Sequence, residues 1–141
     1  MERQPLATVK PHAVVAATHR FAMRKSITLK QLASEPLILS NQELSWRHIL
    51  ELFRSKGIEA RVGMRVATFE TLRSFVGNDL GVSVSYLRPY ASRSYDGKKL
   101  RLLDIVDSIP TQRILLAYPK TNPLTTAAST LVNFTISMFE R

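Results

Sequence analysis

Three histidines, His12, His19 and His48, are the side chains best suited to ligate a metal ion or to transfer protons near neutral pH. No two of them stand at the close helical spacing that zinc enzymes use, as in H-E-x-x-H. The sequence has no cysteine, which removes thiolate zinc sites, disulfides and cysteine nucleophiles together. These residues therefore predict neither a metal site nor a catalytic centre.

The serines and glycines lack the spacing of the common catalytic and phosphate-binding motifs. No serine stands in a G-x-S-x-G nucleophile elbow. The five glycines form neither a P-loop nor a G-x-G-x-x-G dinucleotide motif. We therefore expect no enzymatic chemistry and no cofactor.

Two predicted helix starts favour a different chemistry, the binding of an anion. Ser40 follows the apolar segment 36–39, and Thr68 follows the segment 60–66. Free N–H groups at a helix N-terminus favour anions, and ligands of open α/β sheets bind beyond the carboxyl ends of the strands. Two such helix starts facing one cleft would suit a carboxylate. The alternative is that both side chains only cap their helices, Ser40 through a capping box with Glu43.

The elements that would position these residues alternate along the chain. Apolar or β-branched runs predict strands at 12–18, 36–39, 60–66, 81–86, 98–105 and 113–118. Capping residues followed by helical spacing predict helices that begin at Thr28 (with Gln31 in capping-box register), Ser40, Thr68 and Asn122. This alternation predicts an α/β fold around a mostly parallel sheet.

The last predicted helix carries an apolar stripe. Asn122 is a preferred N-cap residue, and Pro123 is tolerated at the first helical position. Apolar residues then recur at helical spacing, among them Leu124, Ala128, Leu131 and Met138. We expect this face to be covered by a sheet or by a partner.

Composition and charge bound the class of protein. The 141 residues are 45% hydrophobic and 22% charged, which fits a globular domain with its own core. The formal net charge is +9, but the basic residues are scattered, so we expect a solvated basic surface rather than a nucleic-acid platform. The longest apolar run, 13–17, is far shorter than the roughly 20 residues of a membrane span. With no signal-peptide pattern either, we expect a cytoplasmic protein without a membrane partner.

Several short segments follow one another in an order that is typical of a known family. They begin with Val15-Ala-Ala-Thr-His19-Arg-Phe-Ala22, Ser26-Ile-Thr-Leu-Lys-Gln-Leu32 and Glu35-Pro-Leu-Ile-Leu39. They continue with Phe53-Arg-Ser-Lys-Gly57, Phe69-Glu-Thr-Leu-Arg-Ser-Phe-Val76, Asp79-Leu-Gly-Val82 and Tyr95-Asp-Gly-Lys98. Together these segments resemble the effector-binding domain of bacterial LysR-type transcriptional regulators, from about residue 5 to residue 140.

The resemblance implies a periplasmic-binding-protein-like (type 2) clamshell with a complete second lobe and a partial first lobe. Residues 1–19 would form a partial first lobe and the hinge strand, 20–112 the second lobe, and 113–141 the return strand and helix of the first lobe. We also expect strands 12–18 and 113–118 to pair with each other. The family's winged helix-turn-helix has no counterpart upstream of Met1, so DNA would be bound only through a head domain that this chain lacks.

The resemblance also implies which residues contact the effector, a small carboxylate or another anion. The second lobe's side of the cleft would be lined by the loops Ser40-Asn41-Gln42 and Ala67-Thr68-Phe69, with Ser83 and Ser85 on a neighbouring strand. Phe69 has an alternative role in the core, because it shares a predicted helical face with Leu72 and Val76.

The expected function is that of a sensory module that converts small-molecule occupancy into a change of lobe angle or subunit packing, within a homo-oligomer. One alternative is a stand-alone solute-binding protein, against which stand the charge and the incomplete first lobe. The other is a non-functional fragment whose only activity is to pair with intact regulators.

Overall fold

The chain passes twice between two units that pack separately, and the computed structural model describes residues 1–141. Unit 1 comprises Met1–Lys10 and Pro110–Arg141, and unit 2 comprises Pro11–Ile109. The first boundary precedes the one expected after residue 19, because the strand that follows Pro11 pairs inside unit 2. The second boundary precedes the one expected after residue 112.

Eight strands and four helices follow one another along the chain. They are β1 (Glu2–Val9), β2 (His12–Ala16), β3 (Ser26–Ile27), α1 (Leu29–Leu32), β4 (Leu37–Ser40), α2 (Glu43–Arg54), β5 (Val62–Val66), α3 (Phe69–Gly77), β6 (Ser83–Ser85), β7 (Leu100–Ile105), β8 (Gln112–Tyr118) and α4 (Thr126–Phe139). Every predicted strand and helix has a counterpart here, whereas β1 and β3 were not predicted.

In unit 2, five of the six strands run in one direction and β2 runs against them. β2 pairs antiparallel with both β6 and β7, so β6 and β7 are parallel to each other. β3 pairs parallel with β7, and β5 pairs parallel with β4. A parallel bridge between Leu37 and Val82 joins β4 to the residue that precedes β6. The strand order is therefore β3-β7-β2-β6-β4-β5, and the prediction of a mostly parallel sheet is confirmed for unit 2.

Helices cover both faces of this sheet. Alternate residues of a strand point to opposite faces, so Leu37 and Leu39 join one buried cluster, with α1 and α2, while Ile38 joins another, with α3. Phe53 of α2 is fully buried in the first cluster, and Val76 of α3 is fully buried in the second. The core of unit 2 therefore has two layers, one on each side of the sheet.

Two helix starts were predicted correctly. Thr28 and Gln31 form a capping box at α1, in which the Gln31 N–H donates to Thr28 Oγ1 at 3.1 Å and the Thr28 N–H donates to Gln31 Oε1 at 3.0 Å. Thr68 caps α3 by accepting a hydrogen bond from the Thr71 N–H at 3.1 Å. Both satisfy backbone donors that a helix leaves unpaired at its start.

Two other helix starts were predicted wrongly. The Ser40–Glu43 capping box does not form, because β4 runs through Ser40 and the Asn41 N–H extends the pairing to the Val66 carbonyl at 2.7 Å. Gln42 is instead the N-cap of α2. The last helix starts at Thr126 rather than after Asn122, since the Thr125 hydroxyl caps it by accepting from the Ala128 N–H at 3.1 Å.

Unit 1 is a two-stranded sheet with one helix. β1 pairs antiparallel with β8, from Glu2 opposite Tyr118 to Val9 opposite Gln112, with an irregularity between Pro5 and Ala7. The predicted pairing of 12–18 with 113–118 is therefore wrong, because β2 lies between β6 and β7 of unit 2. α4 contacts β1 but has no buried residue.

Candidate functional site

Three helix N-termini lie at one edge of the unit 2 sheet. β3 leads into α1, β4 into α2 and β5 into α3. Because these strands run in the same direction, all three helices begin at the same edge, which we call the carboxyl edge. A helix N-terminus carries a partial positive charge, so three of them make this edge favourable for negative charge.

The start of α1 is already occupied by an acid of the protein itself. The Leu29 N–H donates to Asp107 Oδ1 at 2.8 Å, in addition to the capping box formed by Thr28. Sequence reasoning missed this contact, because the two residues are 78 positions apart and no local pattern joins them. The contact shows how a carboxylate binds at this edge.

The start of α2 differs, because no side chain caps it. Ser40 Oγ accepts a hydrogen bond from the Gln42 N–H at 3.3 Å, which lies before the first turn of the helix. Asn41 and Gln42 are both exposed, and Ser40 is half-buried. The structure thus brings the three candidates of this loop together around an N-terminus that has no side-chain acceptor.

The side chain of Thr68 caps the start of α3. Thr68 accepts from the Thr71 N–H, and the two hydroxyl oxygens lie 2.8 Å apart. Ala67 and Thr68 are exposed, while Phe69 is half-buried and packs against the α3-side cluster. Thr68 is therefore engaged as a cap in this structure, and Phe69 contacts the core.

The hydroxyls of Ser83 and Ser85 are engaged with the backbone. Ser83 is fully buried and donates to the Ile38 carbonyl at 2.7 Å, which links β6 to β4. Ser85 is buried and accepts from the Leu87 N–H at 3.0 Å, which fixes the chain after β6. Ser85 therefore lies at the carboxyl end of β6, whereas Ser83 lies at the amino end of this strand and joins it to β4.

A polar pair that sequence reasoning missed lies between α2 and the end of β6. His48 Nε2 is 2.8 Å from the Tyr86 hydroxyl oxygen, and the two rings are tilted at 42° with centroids 5.4 Å apart. Burial raises the pKa of Tyr86. The proximity of His48 to Tyr86 depends on how α2 packs, which no spacing in the sequence encodes.

The other two histidines, His12 and His19, are both buried. His19 is buried, with Nδ1 accepting from the Phe21 N–H at 3.1 Å and Nε2 3.5 Å from Glu35 Oε1. His12 lies in β2 opposite both Ser85 and Asp104.

No group of three or more His, Asp or Glu side chains is gathered as a metal-binding cluster. No helix has the length and apolar character required to cross a membrane.

A family model described as the LysR substrate binding domain matches residues 1–140. Among solved structures, the LysR family transcriptional regulator HinK from Pseudomonas aeruginosa is 29% identical, with a TM-score of 0.88 over 98% of this chain. The C-terminal domain of a probable LysR family regulator from Rhodococcus sp. RHA1 is also 29% identical, with a TM-score of 0.85 over 95% of this chain.

A more distant structure contains a ligand. The effector binding domain of QuiR in complex with shikimate is 24% identical, with a TM-score of 0.77 over 99% of this chain, so it shows likeness of fold alone. This chain spans 48% of the HinK chain, 66% of the Rhodococcus chain and 65% of the QuiR chain.

Proposed function

Because this chain belongs to the LysR substrate-binding domain family, with its periplasmic-binding-protein-like type 2 α/β fold, we propose that it senses a small-molecule effector for a transcriptional regulator. Its output is a change of lobe angle or of subunit packing, and it makes and breaks no covalent bond. Its setting is the cytoplasm, and contact with specific DNA belongs to a separate head domain.

The effector is a small carboxylate or a similar anion, and it binds at the start of α2. The observation that carries this proposal is that α2 has no side-chain cap, whereas the starts of α1 and α3 are occupied by Asp107 and Thr68. Shikimate, which the QuiR domain holds, is itself a carboxylate. An anion at α2 would accept the N–H groups that the chain leaves without a side-chain acceptor.

The candidate residues take different parts in this site. Asn41 and Gln42 contact the effector directly, since both are exposed beside the uncapped N-terminus, and Ser40 supports their loop. Ala67, Thr68 and Phe69 form the neighbouring wall at the start of α3. Ser85 fixes the chain at the carboxyl end of β6, and Ser83 joins β6 to β4.

Fluorescence of the single tryptophan tests this site. Trp46 lies in the first turns of α2, with the Arg65 guanidinium 4.7 Å from its ring centroid, so an anion bound at the helix start should perturb its emission. We expect shikimate and other small carboxylates to give a saturable change in wild type. Gln42→Asp places a carboxylate at the cap and should weaken binding at least tenfold.

The matched control is Gln42→Asn, which offers a neutral cap of nearly the same size. If Gln42→Asp and Gln42→Asn bind the carboxylates as well as wild type, the effector does not use the start of α2. If Asp weakens binding strongly and Asn weakens it less, the competition is electrostatic, as the proposal requires.

A second proposal, assembly into a homo-oligomer, rests on unit 1. α4 has no buried residue, and Leu131, Phe134, Met138 and Phe139 are exposed. A monomer rarely leaves such an apolar face uncovered, and a two-stranded sheet alone is barely stable. We propose that a second copy of this chain covers α4, and the same face would allow pairing with an intact regulator.

A further inference from the structure

A cavity of about 100 Å³ lies on the α3 side of the unit 2 sheet. Val14 of β2 together with Leu100 and Leu102 of β7 forms its floor. Phe69 and Arg73 of α3 form one wall, and the segment 87–92 forms the other. Of the residues that line it, only Phe69 belongs to the carboxyl-edge candidates.

The lining is mostly apolar, and its one charged group is the guanidinium of Arg73, with Ser92 as a further polar side chain. The Arg73 side chain exposes only 7% of its surface. Nη1 donates to Glu70 Oε1 at 3.0 Å, and Nη2 donates to the carbonyls of Ala91 at 2.5 Å and Arg93 at 3.1 Å. These bonds tie the segment that covers the cavity to α3. An arginine has five N–H donors, so Nε–H and the second N–H of Nη1 remain without a protein acceptor.

The ion pair with Glu70 decides which ligand charge suits the cavity. Because Glu70 already balances Arg73, a ligand anion would bring uncompensated negative charge into a largely apolar space, where its desolvation is costly. A neutral group that only accepts a hydrogen bond would satisfy a spare N–H donor of Arg73 without that cost.

The size of the cavity limits the ligand to a single small ring. Engineered apolar cavities of roughly 150 Å³ hold benzene, and this cavity is smaller. We propose that it is a second small-molecule site, distinct from the start of α2, which takes a neutral five-membered or small six-membered ring carrying one hydrogen-bond acceptor, such as a cyclic ketone. The ring contacts the leucines of the floor, and the acceptor binds Arg73.

Saturation-transfer NMR on the full chain, with cyclopentanone as the probe, tests this site. A ligand of so few atoms should bind with a dissociation constant on the order of millimolar. Cyclopentanecarboxylate, which has a similar ring and a negative charge, should bind at least tenfold more weakly. Excess shikimate should not displace cyclopentanone, because the two would occupy different sites.

Variants that fill the cavity provide the decisive comparison. Leu102→Trp and Leu87→Trp replace leucine by a larger aromatic side chain at two partly exposed positions of the lining and should each weaken cyclopentanone binding at least tenfold. Leu80→Trp, at an exposed position outside the lining, is the matched control and should change it less than twofold. Circular dichroism identifies any variant that fails to fold.

The proposal would be overturned by the absence of saturable binding by wild type, by equal binding of cyclopentanone to a folded cavity-filled variant, or by tighter binding of the carboxylate than of the ketone. Displacement by shikimate would also overturn it, since the cavity would then be part of the effector site.

Discussion

Unit 2 and unit 1 differ most in what their helices cover. In unit 2, α2 buries Ile49, Leu52 and Phe53 against the sheet. In unit 1, α4 is longer and also carries apolar side chains, yet it buries none, and no residue of unit 1 is classed as buried. In both segments, apolar residues at helical spacing predicted a helix from the sequence. An apolar helix therefore stabilises a fold only to the extent that a surface exists for it to cover.

Truncation of one apolar side chain in each unit should distinguish the two units most strongly. Phe53→Ala in unit 2 removes a fully buried ring and should lower the free energy of unfolding by about 3–5 kcal/mol. Leu131→Ala in unit 1 removes a side chain that is 65% exposed within one chain, so it should change the free energy of unfolding of the monomer by less than about 0.5 kcal/mol. Urea denaturation measures both. A destabilisation by Leu131→Ala that grows with protein concentration would mean that a second copy covers α4, as the assembly proposal requires.

Adding side-chain bulk should also destabilise unit 2 more than unit 1, but by a smaller amount. A Cβ at Gly81 would lie 2.6 Å from the Pro36 carbonyl oxygen and 3.0 Å from Ile38 Cγ1, where β4 meets the segment entering β6. Gly81→Ala should therefore cost about 1–3 kcal/mol of unfolding free energy. Ala127→Val adds bulk to an exposed position of α4 and should cost only about 0.5 kcal/mol, mainly through helix propensity. Thermal denaturation of both variants checks this ordering.

Self-association of the chain would bury the exposed apolar face of α4 against a partner. We expect light scattering on dilute protein to show a dimer or larger species. Leu131→Asp should weaken that association at least tenfold, since it places a charge within the apolar face. Thr130→Asp, at the adjacent exposed position of α4, is the control and should weaken it less. A wild-type chain that remains a monomer at high concentration contradicts the assembly proposal.

Sequence patterns predicted unit 2 better than unit 1, for reasons visible in single elements. The run Leu37–Leu39 is buried on both faces, so its apolar character alone indicated a strand. β1 alternates between exposed and half-buried residues and contains Pro5, so no apolar run marked it. Its stability comes from β8, more than 100 residues away, and a partner at that distance leaves no local signal.

Some contacts of the candidate site could be predicted from the sequence, and others could not. The cap at Thr68 depends on residues three positions apart and could be predicted. The contact of Asp107 with Leu29 and the approach of His48 to Tyr86 depend on tertiary packing and could not. Ser40 was misassigned as a cap because its capping-box spacing competed with strand pairing, and the pairing of β4 with β5 prevailed.

A smaller change in stability is expected at α2, the one helix of unit 2 whose start no side chain caps. Replacing Gln42 by Asp supplies an oxygen for the free N–H groups and a negative charge near the helix N-terminus, so the free energy of unfolding should rise by about 1 kcal/mol near neutral pH. Gln42→Asn should raise it by less, because it caps without the charge.

The added stability of Asp over Asn should disappear as pH falls through the pKa of the new carboxylate, since protonation removes the charge that the helix stabilises. Urea denaturation of both variants at neutral and at acidic pH measures the difference. A destabilised Gln42→Asp would mean that the start of α2 does not attract negative charge, and the anion proposed for it would lose its physical basis.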